Sequence, residues 1–138
     1  GVSGAGKSTL ARQFLGTGTD LLLSDDRIIL RRSPQGWTAH GTPWAGDAGV
    51  AVNAGVPLRA LLFLRQSDRN HVTPLAASEA LHRLLRVTSI PWFDAAVLPT
   101  ALDLCDELIG ATPSFEFEFL PEPAAAETLR AFAASEAR

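Results

Sequence analysis

The chain opens on GVSGAGKST, residues 1–9, and the reading of those nine residues decides the fold. They fit the pattern G-x-x-x-x-G-K-[ST] at Gly1, Gly6, Lys7 and Ser8. At ordinary glycine usage a chance match in a chain of this length is on the order of 1%. The extra Gly4 and the helix-compatible residues that follow make it rarer still. Each residue type has a mechanical reason. Glycines let the backbone curl around phosphate oxygens with N–H groups turned inward. A helix starting near Lys7 offers unpaired N–H groups and a positive dipole end to an anion. In such a loop Lys7 reaches the β- and γ-phosphates and the Ser8 hydroxyl ligates Mg²⁺. Thr9 adds a hydroxyl near the α-phosphate. The expected nucleotide site comprises Gly1, Ser3, Gly4, Ala5, Gly6, Lys7, Ser8 and Thr9, with ATP and Mg²⁺ as cofactors. The competing reading is a plain glycine turn before a helix.

Such a site needs a second element, a carboxylate at the end of a neighbouring strand. Residues 7–15 suit a helix, with Leu10, Ala11, Phe14 and Leu15 on one face and Gly16 and Gly18 ending it. DLLLSDD, residues 20–26, is then an apolar run closing on two acids, as a buried parallel strand would. A right-handed crossover sets Asp25 and Asp26 beside the loop. One holds Mg²⁺ and the other acts as general base on an acceptor hydroxyl. Which takes which role is open at this stage, and turn capping is the competing use of either.

Further along, RIILRR, SPQG and WTAH read as strand, turn and strand. Residues 41–55 are glycine-rich and aperiodic, a loop lying over something. Residues 57–66 suggest one more strand. Thr73-Pro74 reads as an N-cap and first helical residue, opening a helix to about 87 with Leu75, Leu81, Leu84 and Leu85 inward. PWFDAAVLPTALDLCDELIG suggests helix broken near Pro99 and ended by Gly110. SFEFEFL alternates, placing Phe115, Phe117 and Phe119 on one face and Glu116 and Glu118 toward solvent. A last helix is expected over about 124–137.

Composition bounds the rest. A length of 138 residues suits one domain, residues 1–138. Hydrophobic residues at 46% and charged ones at 20% are ordinary for a globular protein. A net charge of −3 gives no case for nucleic acid or an anionic membrane. No apolar run reaches the length of a membrane span. The single cysteine, Cys105, fits a reducing compartment, so the cytoplasm is expected, and its place in a helical pattern makes it a core residue. Lys7 is the only lysine in an arginine-rich chain, which suggests a compact point charge was wanted there. With no methionine at position 1, the start reads as that of a partial chain, with the strand ahead of the loop missing.

GVSGAGKST and, closely after it, LLSDDRIILRR together resemble the HPr kinase and phosphoenolpyruvate carboxykinase branch of P-loop proteins. Gly1, Gly6, Lys7, Ser8, Asp25, Asp26 and Arg27 match residue by residue. GTPWAG, residues 41–46, is similar to a stretch in small HPr-kinase-like proteins. The resemblance covers roughly residues 1–66. Where that family carries a signature built around EIRGLG, this chain has GTPWAGDAGVAVNAG, with Asp47 in place of a metal-assisting glutamate. The resemblance therefore implies fold and nucleotide chemistry, and it does not extend to HPr as substrate.

The expectation is an α/β P-loop domain with a mixed sheet. Its activity would be that of an ATP-binding, Mg²⁺-dependent phosphotransferase acting on an unknown small molecule or protein. Two alternatives stand beside it: a shikimate- or adenylyl-sulfate-type kinase, and a non-catalytic nucleotide-binding accessory protein. His40, Arg27, Arg59, Arg65 and Trp44 are the secondary candidates for the site. No His/Cys spacing suggests zinc.

Overall fold

Four helices and two three-stranded sheets make up a small α/β structure, given by a computed structural model that describes residues 6–15, 18 and 20–136. Helix α1 (Lys7–Leu15) forms where the apolar spacing predicts it, with Leu10 and Ala11 buried. The acidic tract after it departs from expectation. Residues 20–23 form no strand; Ser24 makes a single antiparallel bridge to Ala51, and the Leu23 carbonyl accepts the Val52 N–H at 2.8 Å. Among the described residues no parallel neighbour flanks the run, and Leu21 is 62% exposed, so it lacks the two covering layers a buried strand needs.

Strands β1 (Ile28–Ser33) and β2 (Gly36–Gly41) form the expected hairpin. The two-residue connection Pro34-Gln35 is relieved by Gly36 at φ +113°, a conformation glycine supplies without a steric penalty. Strand β3 (Gly55–Pro57) adds antiparallel to β2. The single strand expected over 57–66 is two, because the chain leaves β3 before starting β4 (Leu61–Gln66).

The second sheet runs β4, β6, β5, with β6 (Ser114–Phe119) in the centre, parallel to β4 and antiparallel to β5 (His71–Pro74). Here local signals lose to tertiary pairing. Thr73 and Pro74 do not open a helix; they pair with Glu116 and Phe115 on β6. Pro74 closes an edge strand, where its missing N–H costs no ladder bond. Helix α2 (Ala77–Leu85) starts after Ala76 with no side-chain cap. Helix α3 (Leu98–Ala111) is opened by Pro99 in its first turn, not broken by it, and runs through Gly110. Helix α4 (Ala124–Glu136) closes the described chain.

Alternation along β4 and β6 builds a core on each side of this sheet. Leu62, Leu64, Phe117 and Phe119 meet Leu10 and Phe14 of α1 and Ala125 and Leu129 of α4. Leu61 and Phe63 meet Ala80, Leu84, Cys105, Leu108 and Ile109 of α2 and α3, and Leu30 and Trp37 attach the first sheet to that cluster. Phe117 and Phe119 are fully buried, each contributing about 1.5–3 kcal/mol. The three phenylalanines do share a face. The glutamates between them do not face solvent: Glu118 is 5% exposed. They are held by arginines, as described below. No described helix is long and apolar enough to cross a membrane.

Candidate functional site

Gly6 is where the glycine loop meets the fold. Its carbonyl accepts the Leu10 N–H at 2.9 Å, the first bond of α1. Its φ of +89° lies in the left-handed region that favours glycine. A Cβ there would sit 2.5 Å from Phe119 Cζ and 3.4 Å from Gln66 Nε2. The start of α1 is thus pressed onto the last residues of β4 and β6. Those are the carboxyl ends of two parallel strands, the place where α/β sheets hold ligands. The N–H groups of Lys7, Ser8 and Thr9 fall in the first helical turn, where no intrahelical acceptor exists. Gly1, Ser3, Gly4 and Ala5 of the expected site lie outside the described residues.

The paired acids part company. Asp25 turns inward and is 8% exposed. Its Oδ1 accepts N–H bonds from Gly46 at 2.9 Å and Val50 at 3.2 Å, and its Oδ2 accepts one from Ala48. Burial raises its pKa, but the three amides together with its own N–H outweigh that, so the carboxyl is held below its ordinary 3.8. Gly46 is packed so closely that a Cβ would lie 2.9 Å from Asp25 Oδ2 and 3.0 Å from Asp26 Cβ. Thr42, buried at 4% exposure, ties the start of the same loop through Oγ1 to the Arg27 carbonyl at 2.8 Å. Asp26 turns outward; its side chain is 50% exposed and its Oδ2 lies 3.7 Å from Arg27 Nε. Arg12 Nη2 donates to the Asp47 carbonyl at 3.4 Å, which lays the Asp25-held loop along α1, the helix that carries Lys7.

Among the described residues no group of three or more His, Cys, Asp or Glu side chains is placed to hold a metal. Ser8 and Asp26 carry oxygens of the kind that Mg²⁺ takes, one or two from a protein with the rest from phosphate and water.

The secondary candidates sort themselves. Arg65 is engaged: its Nε donates to Glu116 at 3.1 Å and its Nη2 pairs with Glu118. Arg69 donates to Glu118 Oε2 at 3.0 and 2.7 Å through Nε and Nη2. Arg83 bridges Glu116 and Glu79, each at 2.6 Å. The Arg83 hydrogen bond, working against burial and helped by Arg65, holds the Glu116 carboxyl below its ordinary range. Arg65 therefore serves this network on the α2 side of the sheet. Arg59 lines a mostly apolar cavity of about 560 Å³ between β3, β4, α1 and α4, which touches β4 at Leu62, four residues from the Gln66 end. The His40 ring covers Gly55, where a Cβ would lie 2.6 Å from Nδ1. Cys105 is buried and burial pushes its thiol pKa up, so it is an inert core residue. Trp37 packs in the core, while Trp44 and Trp92 are both 59% exposed.

Sequence reasoning missed Gln66, Phe119 and Thr42 as supports of the site. Gln66 left one signal, a polar residue closing an apolar strand. Comparison of the chain with family models, with curated proteins and with solved structures returns no match.

Proposed function

We propose that the chain is an ATP-binding, Mg²⁺-dependent phosphotransferase with a P-loop fold of the HPr kinase type, acting in the cytoplasm. The observation that carries this reading is Gly6. It has a left-handed conformation, caps α1, and is backed by Phe119 and Gln66 at the carboxyl ends of parallel strands. That arrangement suits amides of a first helical turn directed at an anion. The edge of β4 away from β6 pairs with no described strand, and the apolar cavity lies beside it.

In this reading the loop amides, Lys7 and Thr9 cradle the triphosphate. Ser8, with phosphate oxygens and water, would hold Mg²⁺, which would supply charge neutralisation and leave Asp26 to act as the base. The acceptor hydroxyl forms a bond to the γ-phosphorus, the bond to the β-phosphate oxygen breaks, and ADP leaves. The acceptor proton passes to the exposed Asp26 carboxylate, directly or through water. Asp25 serves by holding the 46–50 loop, not by touching substrate. The hairpin of β1 and β2 directly after the acids disfavours a shikimate-type kinase, where a helix and lid follow. Because Asp25 is taken up by the loop, one acid remains for chemistry. That favours, as a second reading, a nucleotide-binding accessory protein without transfer. Calorimetry with Mg·ATP tests the first claim: the protein binds it, and Lys7→Ala weakens binding at least about tenfold. Equal binding by both proteins rejects the loop assignment. Labelled-ATP transfer into a cell extract, with Asp26→Asn as control, separates kinase from accessory protein.

A further inference from the structure

The cavity between β3, β4, α1 and α4 lies apart from the glycine loop: Phe14, its residue on α1, is about two turns from Lys7. It holds about 560 Å³, within the range of roughly 300–1,000 Å³ that small-molecule sites occupy. Leu58, Leu62, Leu129 and Phe132 give it a mostly apolar wall, and that wall is held from behind. Phe132 meets Phe115 of β6 edge-on, with ring centroids 4.8 Å apart. Phe14, Leu62 and Leu129 pack on the buried cluster around Phe117 and Phe119. The Leu58 N–H donates to the Trp37 carbonyl at 2.8 Å and the Leu61 N–H to the Pro113 carbonyl at 2.9 Å, so the segment carrying Arg59 is pinned on both sides. A concavity with fixed apolar walls loses little freedom when a ligand fills it.

Among the described residues of the lining, Asp20, Arg59, Arg130 and Glu136 are charged, and they are not equivalent. Asp20 and Arg130 satisfy each other: Asp20 Oδ2 accepts from Arg130 Nε at 3.0 Å and from Nη2 at 2.6 Å, and the guanidinium lies 5.2 Å over the Phe14 ring. Arg59 is exposed and forms no ion pair among the described residues. It therefore brings an unmet cation to the rim of the cavity on a pinned backbone, and a carboxylate is the group that matches a guanidinium fork. Glu136 belongs to a different element, α4, and repels an anion there, which draws the charged end of a ligand to the Arg59 side. We propose that this cavity binds a small carboxylate carried on an apolar body, with the carboxylate on Arg59 and the body over Leu62, Leu129 and Phe132. The proposal stands independently of the phosphotransferase reading.

Calorimetry with decanoate, decan-1-ol and decyltrimethylammonium tests this by holding the body constant and changing the head. Decanoate binds one to one and at least about fivefold more tightly than the alcohol, and the ammonium binds most weakly. Arg59→Gln lowers decanoate to the affinity of the alcohol and leaves the alcohol unchanged. Ala133→Trp, which fills the cavity from α4, abolishes binding of both at an unchanged melting temperature. Should that variant not fold, Arg59→Gln, at an exposed position, decides alone. 2-Naphthoate beside decanoate tells an aryl body from an alkyl one, and binding of either that Arg59→Gln weakens supports the proposal. Equal affinity for the three heads, or a carboxylate affinity that Arg59→Gln does not lower, overturns it. Binding that survives in folded Ala133→Trp protein puts the ligand elsewhere and overturns it too. So does failure of both carboxylates to bind, and self-association of that protein in sedimentation would then give the apolar wall to a second copy.

Discussion

Among the described residues two places bury a carboxylate, and they do it in opposite ways. Asp25 is met by backbone amides of a single loop. Glu118 is met by the guanidinium groups of Arg65 and Arg69, while Glu116 beside it takes Arg65 and Arg83. Amides bring no charge of their own, so Asp25 keeps its negative charge while giving the loop its shape. Guanidinium groups cancel charge, so the network on β6 is a neutralised structural joint. The difference teaches where to look for chemistry. The anchored loop leaves Asp26 and Trp44 outward, whereas Arg65, which looked available for phosphate, is used inside the fold.

The largest effect tests the first half of that contrast. Asn at position 25 offers one oxygen and one N–H₂, so at least one loop amide meets a donor instead of an acceptor. Asp25→Asn should speed hydrogen exchange at the Gly46, Ala48 and Val50 amides by about tenfold or more and abolish phosphotransfer. Asp26→Asn should abolish transfer as well, with exchange and melting temperature unchanged. If the two variants behave alike in the exchange experiment, the acids are not divided between structure and chemistry.

A smaller, purely structural effect tests the second half. Removing Glu118, whose side chain is 6% exposed, leaves Arg69 without its carboxylate and Arg65 with one of two. Both arginines are more than half exposed and can turn into water, so the cost falls below that of a pair buried on both sides. Glu118→Ala should lower stability by about 2–3 kcal/mol, read as a drop in urea midpoint at constant slope. Mg·ATP binding should survive. A loss of binding in folded Glu118→Ala protein would mean the network reaches the nucleotide after all.

The contrast also marks how far the residues could be read without coordinates. Helix α1, the β1–β2 hairpin, β6 and α4 follow from periodicity and turn residues alone, because each is specified within its own stretch. The start of α1 at Lys7 was legible for the same reason. Three misreadings trace to a long-range partner. Thr73 and Pro74 carry a helix-start signature, but their ladder to β6 joins residues more than 40 apart in sequence. Glu116 and Glu118 alternate like solvent-facing residues, and only the arrival of arginines from β4, the following turn and α2 makes their burial tolerable. Asp25 and Asp26 looked equivalent because nothing in their neighbourhood announces that a loop about 20 residues on will offer three amides to one of them.

The smallest expected effect is the control on which the contrast depends. Arg32 Nη1 and Glu107 Oε2 form the same kind of ion pair at 2.5 Å, joining β1 to α3, but their side chains are 57% and 43% exposed. The pair works in high dielectric, orders two long side chains and is screened by salt. Arg32→Ala should therefore cost no more than about 1 kcal/mol, and most of that should vanish in 1 M salt, where screening reaches about 3 Å. Both are guanidinium–carboxylate joints, but Glu118 is buried and meets two arginines. Should Arg32→Ala prove as costly as Glu118→Ala, burial of the carboxylate would not be what separates a structural joint from a solvated contact. The assignment of Arg65 to structure would then need evidence other than the depth of its partner.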